Sequence, residues 1–147
     1  MKYTWVAKTA MWDKAILSIE KVPWPAGAHL AEQMKNHALT DWENVLVCWE
    51  KEELVGFCAL LKKDILKQTA LTPFIGVVFV AEKYRGHRIS QKLVAKAEEK
   101  ARSLGFEHTF IATQHLGLYE KFGYHKIGEE KDIFDRWLNL YQKDLTH

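Results

Sequence analysis

The alternation of apolar and polar positions predicts a chain of short strands interrupted by helices. Five apolar runs bounded by polar turns are typical of strands. They are Tyr3–Ala7, Val45–Trp49, Leu54–Leu61, Phe74–Val80 and His108–Thr113. The segment Tyr124–Leu140 predicts two further strands, with their turn at Glu129–Asp132. Phe74–Val80 is apolar on both faces, which is typical of a central strand covered from both sides.

Apolar residues that recur every three or four positions predict four helices. These are Met11–Val22, a helix after Pro25 that carries Leu30, Met34 and Ala38, then Arg88–Leu104, and finally Leu116–Phe122. Arg88–Leu104 has the clearest pattern, because its apolar residues form one stripe and its charged residues lie largely off it. Gly105 follows at the position where a left-handed residue commonly ends a helix, and Gly123 ends the short fourth helix.

The order of these elements is β-α-α-β-β-β-α-β-α-β-β. A helix lies between the strands Phe74–Val80 and His108–Thr113, and such a crossover implies that the two strands are parallel. The remaining strands are joined in ways that favour antiparallel pairing. The sequence therefore predicts an α/β (α+β) fold with a mixed, mostly antiparallel sheet, in a single domain over residues 1–147.

Composition and charge exclude several classes of function. The chain is 48% hydrophobic and 27% charged, with a net charge of +2, which is too mild for a nucleic-acid-binding protein or a protein of anionic membranes. Cys48 and Cys58 each lie in an apolar run without zinc-ligand spacing, so we expect buried thiols and no metal. The N-terminal residues lack the apolar core of a signal peptide, and we expect a soluble, cytoplasmic protein.

The stretch YRGHRIS, residues 84–90, places several cationic side chains between a central strand and the longest helix. The first amides of a helix have no internal acceptors, and the helix dipole adds positive charge there. Gly86 allows the backbone to turn and to approach a ligand closely. Arg85, His87 and Arg88 add attraction for an anion, so a diphosphate is the expected ligand. The alternative is an ordinary solvated loop.

The segment GLYEKFGY, residues 117–124, places Tyr119 just after the second parallel strand. Ligands of open α/β sheets tend to bind at the carboxyl ends of parallel strands. A phenol there can protonate a leaving group. The alternative is a tyrosine that only packs in the core.

These two stretches resemble a known family. VFVAEKYRGHRISQKLVAKAEEKARSLGF resembles the acetyl-CoA-binding core of the GCN5-related N-acetyltransferases (GNAT), and LYEKFGY resembles their Tyr-x-x-x-Gly-aromatic segment. The resemblance covers Phe74 to Ile127. It implies a GNAT-like sheet whose central parallel pair is splayed, and acetyl-CoA as co-substrate.

The resemblance also implies the residues that bind acetyl-CoA. Arg85 matches the first position of the family's pyrophosphate loop, whereas Arg88 stands where glycine is usual. Backbone amides from Gly86 to Gln91 would bind the pyrophosphate, a range that contains His87, Ile89 and Ser90. Arg88 is expected to keep a negative φ as the start of a helix. Phe79 and Val80 would act through their backbones, in a bulged strand, on the pantetheine arm and the thioester.

The implied reaction is direct attack of a neutral amine on acetyl-CoA, with Tyr119 protonating the departing thiolate. The amine must first lose a proton. The family often uses a carboxylate of the central strand, and Phe74–Val80 contains none. Asp64, Glu32 and His115 are the candidates for this base. The absence of a strand carboxylate favours the uptake of an amine that is already neutral.

The acceptor should be an amine of a small molecule or a peptide. Trp12, Trp24 and Trp42 are candidates to line a site for a cationic amine, although core packing is the simpler interpretation of each. Two functions stay open: an acetyl-CoA-dependent N-acetyltransferase, and a non-catalytic CoA-binding or regulatory module with the same fold. A homodimer is compatible with either.

Overall fold

The computed structural model describes residues 1–146 and contains seven strands, three α-helices and two short 3-10 helices. In chain order the strands and α-helices are β1 (Lys2–Trp5), α1 (Trp12–Glu20), α2 (Pro25–Lys35), β2 (Asn44–Glu50), β3 (Glu53–Leu61), β4 (Phe74–Val80), α3 (Ile89–Ser103), β5 (His108–Thr113), β6 (His125–Lys131) and β7 (Trp137–Asp144). The 3-10 helices are Glu82–Tyr84 and Tyr119–Phe122. No helix among the described residues is both long and apolar enough to span a membrane.

The strands pair in the order β1-β2-β3-β4-β5-β7-β6, and β4 and β5 are parallel. This confirms the predicted mixed, mostly antiparallel sheet with a parallel central pair. The chain forms two compact units. Unit 1 consists of Met1–Ala59 and Val77–Val94, and unit 2 consists of Leu60–Gly76 and the chain from Ala95 onward. The assignment of one domain stays a prediction.

Unit 1 contains α1, α2 and the N-terminal strands. β1 pairs with β2 in antiparallel register from Lys2–Trp49 to Trp5–Leu46. The helices pack closely at Gly27, where a Cβ would lie 3.3 Å from the backbone oxygen of Ile19. Cys48 and Cys58 are buried free thiols in β2 and β3, as the sequence predicts.

The helix α3 ends as its sequence predicts. Gly105 has a φ of +96° and donates its N–H to the carbonyl of Arg102 at 3.0 Å. The N–H of Phe106 reaches the carbonyl of Ala101 at 3.1 Å. These two bonds satisfy carbonyls of the last turn, and the left-handed φ costs a glycine nothing.

Unit 2 contains a core formed by Leu66, Phe74, Phe110, Leu138 and Leu140. Its C-terminal hairpin turns later than predicted. Asp132 accepts N–H bonds from Phe134 and Arg136, both at 2.9 Å, and pairs with the Arg136 guanidinium at 2.8 Å. This carboxylate fixes the turn at Asp132–Arg136. Glu129 and Glu130 therefore lie in β6 and are exposed, and the prediction of a turn at Glu129–Asp132 was wrong.

Candidate active site

The solvent exposure of the strand β4 increases halfway along its length. Phe74 to Gly76 are buried, whereas Val77 to Val80 are half-buried. Val77 has a φ of +53°, a left-handed conformation that is unusual for a β-branched residue. It interrupts the strand in the region where the family resemblance implies a bulge. Phe74–Phe110 is the single residue pair in the parallel register of β4 and β5 over residues 1–146.

Neighbouring β3 approaches the backbone of Phe79 and Val80 in unit 1. A Cβ built on Gly56 would lie 2.5 Å from the Phe79 carbonyl oxygen and 3.4 Å from the Val80 Cα. Only glycine tolerates that approach. The backbone proposed to hold the pantetheine arm is thus supported from β3.

The loop that precedes α3 is anchored in unit 1 by side chains at its start. Lys83 forms an ion pair with Glu53 at 3.1 Å, and the Tyr84 hydroxyl donates to the same carboxylate at 3.1 Å. Arg85 Nε donates to the Val80 carbonyl at 3.1 Å. These contacts tie the cationic loop to β3 and β4.

The turn itself is exposed and open. Arg85, Gly86, His87 and Arg88 are all exposed. Gly86 has a φ of +85°, and apart from its two chain neighbours no residue has an atom within 4 Å of the place that a Cβ would take. The N–H of Lys92 donates to the Arg88 carbonyl at 3.2 Å. The amides of Ile89, Ser90 and Gln91 precede this bond, so the helix offers them no acceptor. The turn therefore fits a diphosphate by its charge, its accessibility and its amides.

The expectation that Arg88 keeps a negative φ was wrong, because its φ is +59°. The chain turns from the 3-10 helix Glu82–Tyr84 into α3 within four residues, and left-handed conformations at both Gly86 and Arg88 complete that turn. A residue with a Cβ costs about 1–2 kcal/mol in this conformation. This is the position at which the family resemblance expects glycine.

Replacing Arg88 with glycine should therefore stabilise the protein. The relief of about 1–2 kcal/mol exceeds the cost of about 0.5–1 kcal/mol for the freer unfolded chain. We expect a net gain of roughly 0.5–1 kcal/mol in the free energy of unfolding, measured by urea denaturation. Arg88→Ala is the matched control, since it removes the same charge and keeps the Cβ. An Arg88→Gly variant that is less stable than Arg88→Ala by about 0.5–1 kcal/mol, the cost of the freer unfolded chain alone, would show that the strain at Arg88 is negligible.

Tyr119 begins the second 3-10 helix in unit 2 and is 7% exposed. Its ring meets those of Phe122 and Tyr124 edge to face, with centroids 5.8 and 6.3 Å away. Gly123 ends the helix with a φ of +95°. The tyrosine thus lies in a packed aromatic group at the predicted place in the chain.

Two charged side chains, Glu120 and Lys143, hold the segment around Tyr119. Glu120 accepts the Gly117 N–H at 2.9 Å and the Tyr141 hydroxyl at 3.0 Å. The Lys143 ammonium donates to the Phe122 carbonyl at 2.8 Å. Both ends of the short helix are therefore fixed.

A buried polar network continues from Lys143 in unit 2. Lys143 pairs with Glu98 at 3.0 Å, and Glu98 accepts the Tyr124 hydroxyl at 2.8 Å. The Tyr124 oxygen lies 2.7 Å from the Thr109 hydroxyl. Burial and the charge of Glu98 raise the pKa of Tyr124 far above its usual value, so this phenol stays protonated. The network therefore orders the chain that follows Tyr119.

The three candidates for the base have different surroundings. Glu32 is exposed on α2, and His115 is exposed in the loop after β5. Asp64 is half-buried in the loop after β3, and its carboxylate packs against Gly76 of β4 in unit 2. Sequence reasoning missed the part played by Gly76. The signal that could have found it was a glycine inside an apolar strand, which often marks the close approach of another group.

The three tryptophans considered for the acceptor site also have different surroundings. Trp24 stacks on Phe79 with centroids 6.1 Å apart, and Phe79 stacks on Phe57 at 5.2 Å. Trp12 lines a shallow groove between α1 and the end of α2, and Trp42 is half-buried. The ring of Trp24 therefore packs directly on a β4 side chain.

Residues 1–146 contain no group of three or more side chains suited to a metal ion.

Comparison with known proteins assigns a family to this fold. The model of the acetyltransferase (GNAT) family matches residues 11–124. A curated relative, acetyltransferase Atu2258 of Agrobacterium fabrum, is 41% identical over 58 residues. That match spans 37% of this chain and 42% of the relative, which is less than half of its length.

Solved structures are similar in fold over the whole chain. An aminoglycoside 6'-acetyltransferase type Ii has a TM-score of 0.75 at 20% identity, covering 100% of this chain and 99% of that one. An aminoglycoside 6'-N-acetyltransferase complexed with coenzyme A has a TM-score of 0.71 at 17% identity, covering 100% and 98%. ElaA of Escherichia coli has a TM-score of 0.69 at 18% identity, covering 98% and 100%.

Proposed function

Since this chain belongs to the acetyltransferase (GNAT) family, whose co-substrate is acetyl-CoA, we propose that it is an N-acetyltransferase acting on an amine of a small molecule or peptide. The observation that carries this proposal is the exposed turn Arg85–Arg88 with its open, left-handed Gly86 at the start of α3. It supplies cationic side chains and unpartnered helix amides together, which is what a pyrophosphate requires.

The proposed chemistry assigns one task to each group of residues. The backbone of Phe79 and Val80 holds the pantetheine arm and places an N–H against the thioester carbonyl, which stabilises the negative charge that develops there. The amine nitrogen forms the new C–N bond as the C–S bond breaks. Tyr119 donates its phenolic proton to the departing sulfur. The proton that the amine loses goes to a base.

The acceptor is proposed to be a small cationic amine. The half-buried pair of Trp24 and Phe79 offers an aromatic face on unit 1. Aromatic faces attract ammonium groups, with energies of about 0.5–2 kcal/mol. The fold neighbours named for aminoglycosides act on amines of this kind, which supports the same substrate class here.

Charge reversal in the loop should weaken CoA binding. We expect Arg85→Glu and Arg88→Glu each to reduce the affinity for CoA by about 1–3 kcal/mol, the range for hydrogen bonds to charged groups. Wild-type affinity should also fall with added salt, because the contact is partly electrostatic. Titration calorimetry measures both. Lys21→Glu, a reversal at the end of α1, is the control and should change little. Unchanged affinity in both loop variants would exclude this turn as the pyrophosphate site.

Turnover across a panel of amines tests the function itself. Purified protein is mixed with acetyl-CoA and kanamycin, spermidine or a lysine-containing peptide, and the released thiol is followed by a colour reagent. We expect thiol release that requires one of these amines and a matching acetylated product by mass spectrometry. Tight CoA binding without turnover of any amine would instead favour the alternative, a non-catalytic CoA-binding module.

A further inference from the structure

The carboxylate of Asp64 takes the place of a side chain on β4. A Cβ built on Gly76 would lie 2.6 Å from Asp64 Cγ and 2.8 Å from Oδ1. Real Cβ atoms are essentially never that close to another atom, so the carboxylate is seated in the space that any other residue at position 76 would fill. Both residues belong to unit 2. A strand without a carboxylate of its own is thereby provided with one from the preceding loop.

The position along β4 makes this contact relevant to the proposed reaction. Gly76 is followed directly by Val77, whose φ of +53° kinks the strand, and then by the half-buried segment ending in Phe79 and Val80. Those two residues are proposed to hold the thioester. The loop reaches the strand through a left-handed Asp64, with a φ of +55°. Asp and Asn are among the few side chains that adopt this conformation readily.

The surroundings of Asp64 suit a proton acceptor. Burial, with a smaller contribution from the negative charge of Asp132, raises the pKa of Asp64 to about 7, and a hydrogen bond from the Ile65 N–H opposes both effects. Asp132 is itself paired with Arg136 at 2.8 Å, which limits its influence. Gly76, on the facing strand, brings no charge. A group that titrates near neutral pH combines an ionised fraction with useful basicity.

We propose that Asp64 is the general base of this acetyltransferase, accepting the proton that the ammonium group of the acceptor must lose before its nitrogen attacks. In this step the N–H bond breaks, the electron pair stays on nitrogen, and an O–H bond forms at the Asp64 carboxylate. The inference rests on the proposed function. It replaces the expectation from the sequence that the protein takes up only an amine that is already neutral.

Three variants test the proposal with the same panel of amines. Asp64→Asn keeps the size and shape of the side chain and removes the carboxylate that would accept the proton. Gly76→Ala keeps Asp64 and puts a methyl group where its carboxylate lies. Asp135→Asn is the control, since Asp135 is an exposed carboxylate of unit 2 whose contacts are with Lys67 and Lys131. Each protein is measured for CoA affinity and for kcat/KM against pH.

The expected result has two parts. Wild type and Asp135→Asn should show a rising limb of kcat/KM near pH 7 that stays in place for acceptors of different basicity. Asp64→Asn should lose that limb and about 10²–10⁴-fold in rate with CoA affinity preserved, because general-base catalysis contributes that much. Gly76→Ala should also lower kcat/KM, because its methyl group displaces the Asp64 carboxylate.

Other outcomes separate the two proposals. A limb that follows the pKa of each acceptor, together with a rate unchanged by Asp64→Asn, would overturn the assignment of Asp64 and leave the acetyltransferase in place. The absence of turnover by the wild-type protein with every amine would overturn the proposed function, and the base with it.

Discussion

Tyr119→Phe is expected to slow acetyl transfer by about 10²–10⁴-fold at saturating acetyl-CoA while leaving CoA affinity nearly unchanged. The substitution removes one hydroxyl and keeps the ring, whose edge-to-face contacts with Phe122 and Tyr124 do not depend on that hydroxyl. The 3-10 helix should also persist, since Glu120 and Lys143 hold it through other atoms. The loss should therefore fall on kcat.

Tyr3→Phe is the control for this change. It removes a phenol from β1 in unit 1, outside the residues proposed for catalysis, and should leave turnover unaffected. The rate of thiol release at saturating acetyl-CoA gives kcat, and titration calorimetry gives the affinity for CoA. If Tyr119→Phe turns over as fast as wild type at saturating acetyl-CoA, Tyr119 is a packing residue and another group or water protonates the thiolate.

Asp64→Asn is expected to stabilise the protein at pH 8 even though it should abolish the proposed base. The folded protein raises the pKa of Asp64 from 3.8 to about 7, which means that ionisation is less favourable in the folded chain than in the unfolded one. The free energy of unfolding should therefore fall as the pH rises from about 4 to about 7, and then stay level. One pKa unit corresponds to about 1.4 kcal/mol, so the full shift is worth about 4 kcal/mol. Because Asp64 is partly exposed, solvent screens part of this effect, and removing the charge should recover roughly 2–4 kcal/mol at pH 8.

Urea denaturation at pH 4, 6 and 8 measures this effect without any substrate. The difference between Asp64→Asn and wild type should be small at pH 4, where ionisation of Asp64 contributes little, and largest at pH 8. Asp135→Asn should not show this growth, because the ion pairs of Asp135 lower its pKa. A stability difference for Asp64→Asn that does not change with pH would show that Asp64 is not seated in a desolvated site.

Most elements could be predicted from periodicity because they depend on local signals. β4 and β5 lie where their apolar runs predict them, and α3 lies within one residue of its predicted ends. The strand–helix–strand order was enough to predict their parallel pairing, since a crossover of that length returns in the same direction. The position of the turn between β6 and β7 could not be predicted in this way. The carboxylate of Asp132 fixes that turn by accepting hydrogen bonds from the N–H groups of Phe134 and Arg136.

The cationic turn could also be predicted from the sequence, because the charge of Arg85 and the flexibility of Gly86 are properties of the residues themselves. The φ of Arg88 could not be predicted, since it is imposed by the path of the chain between the 3-10 helix Glu82–Tyr84 and α3. The same holds for Val77, whose residue type favours an extended strand.

The sequence by itself determined the family resemblance, the strand–helix order, the cationic turn and the place of Tyr119 in the chain. Only the tertiary structure decided which carboxylate reaches β4. Asp64 and Gly76 lie in different elements, and neither residue alone indicates the other. The burial that raises the pKa of Asp64 is a property of the packed protein, because desolvation depends on every atom that surrounds the carboxylate.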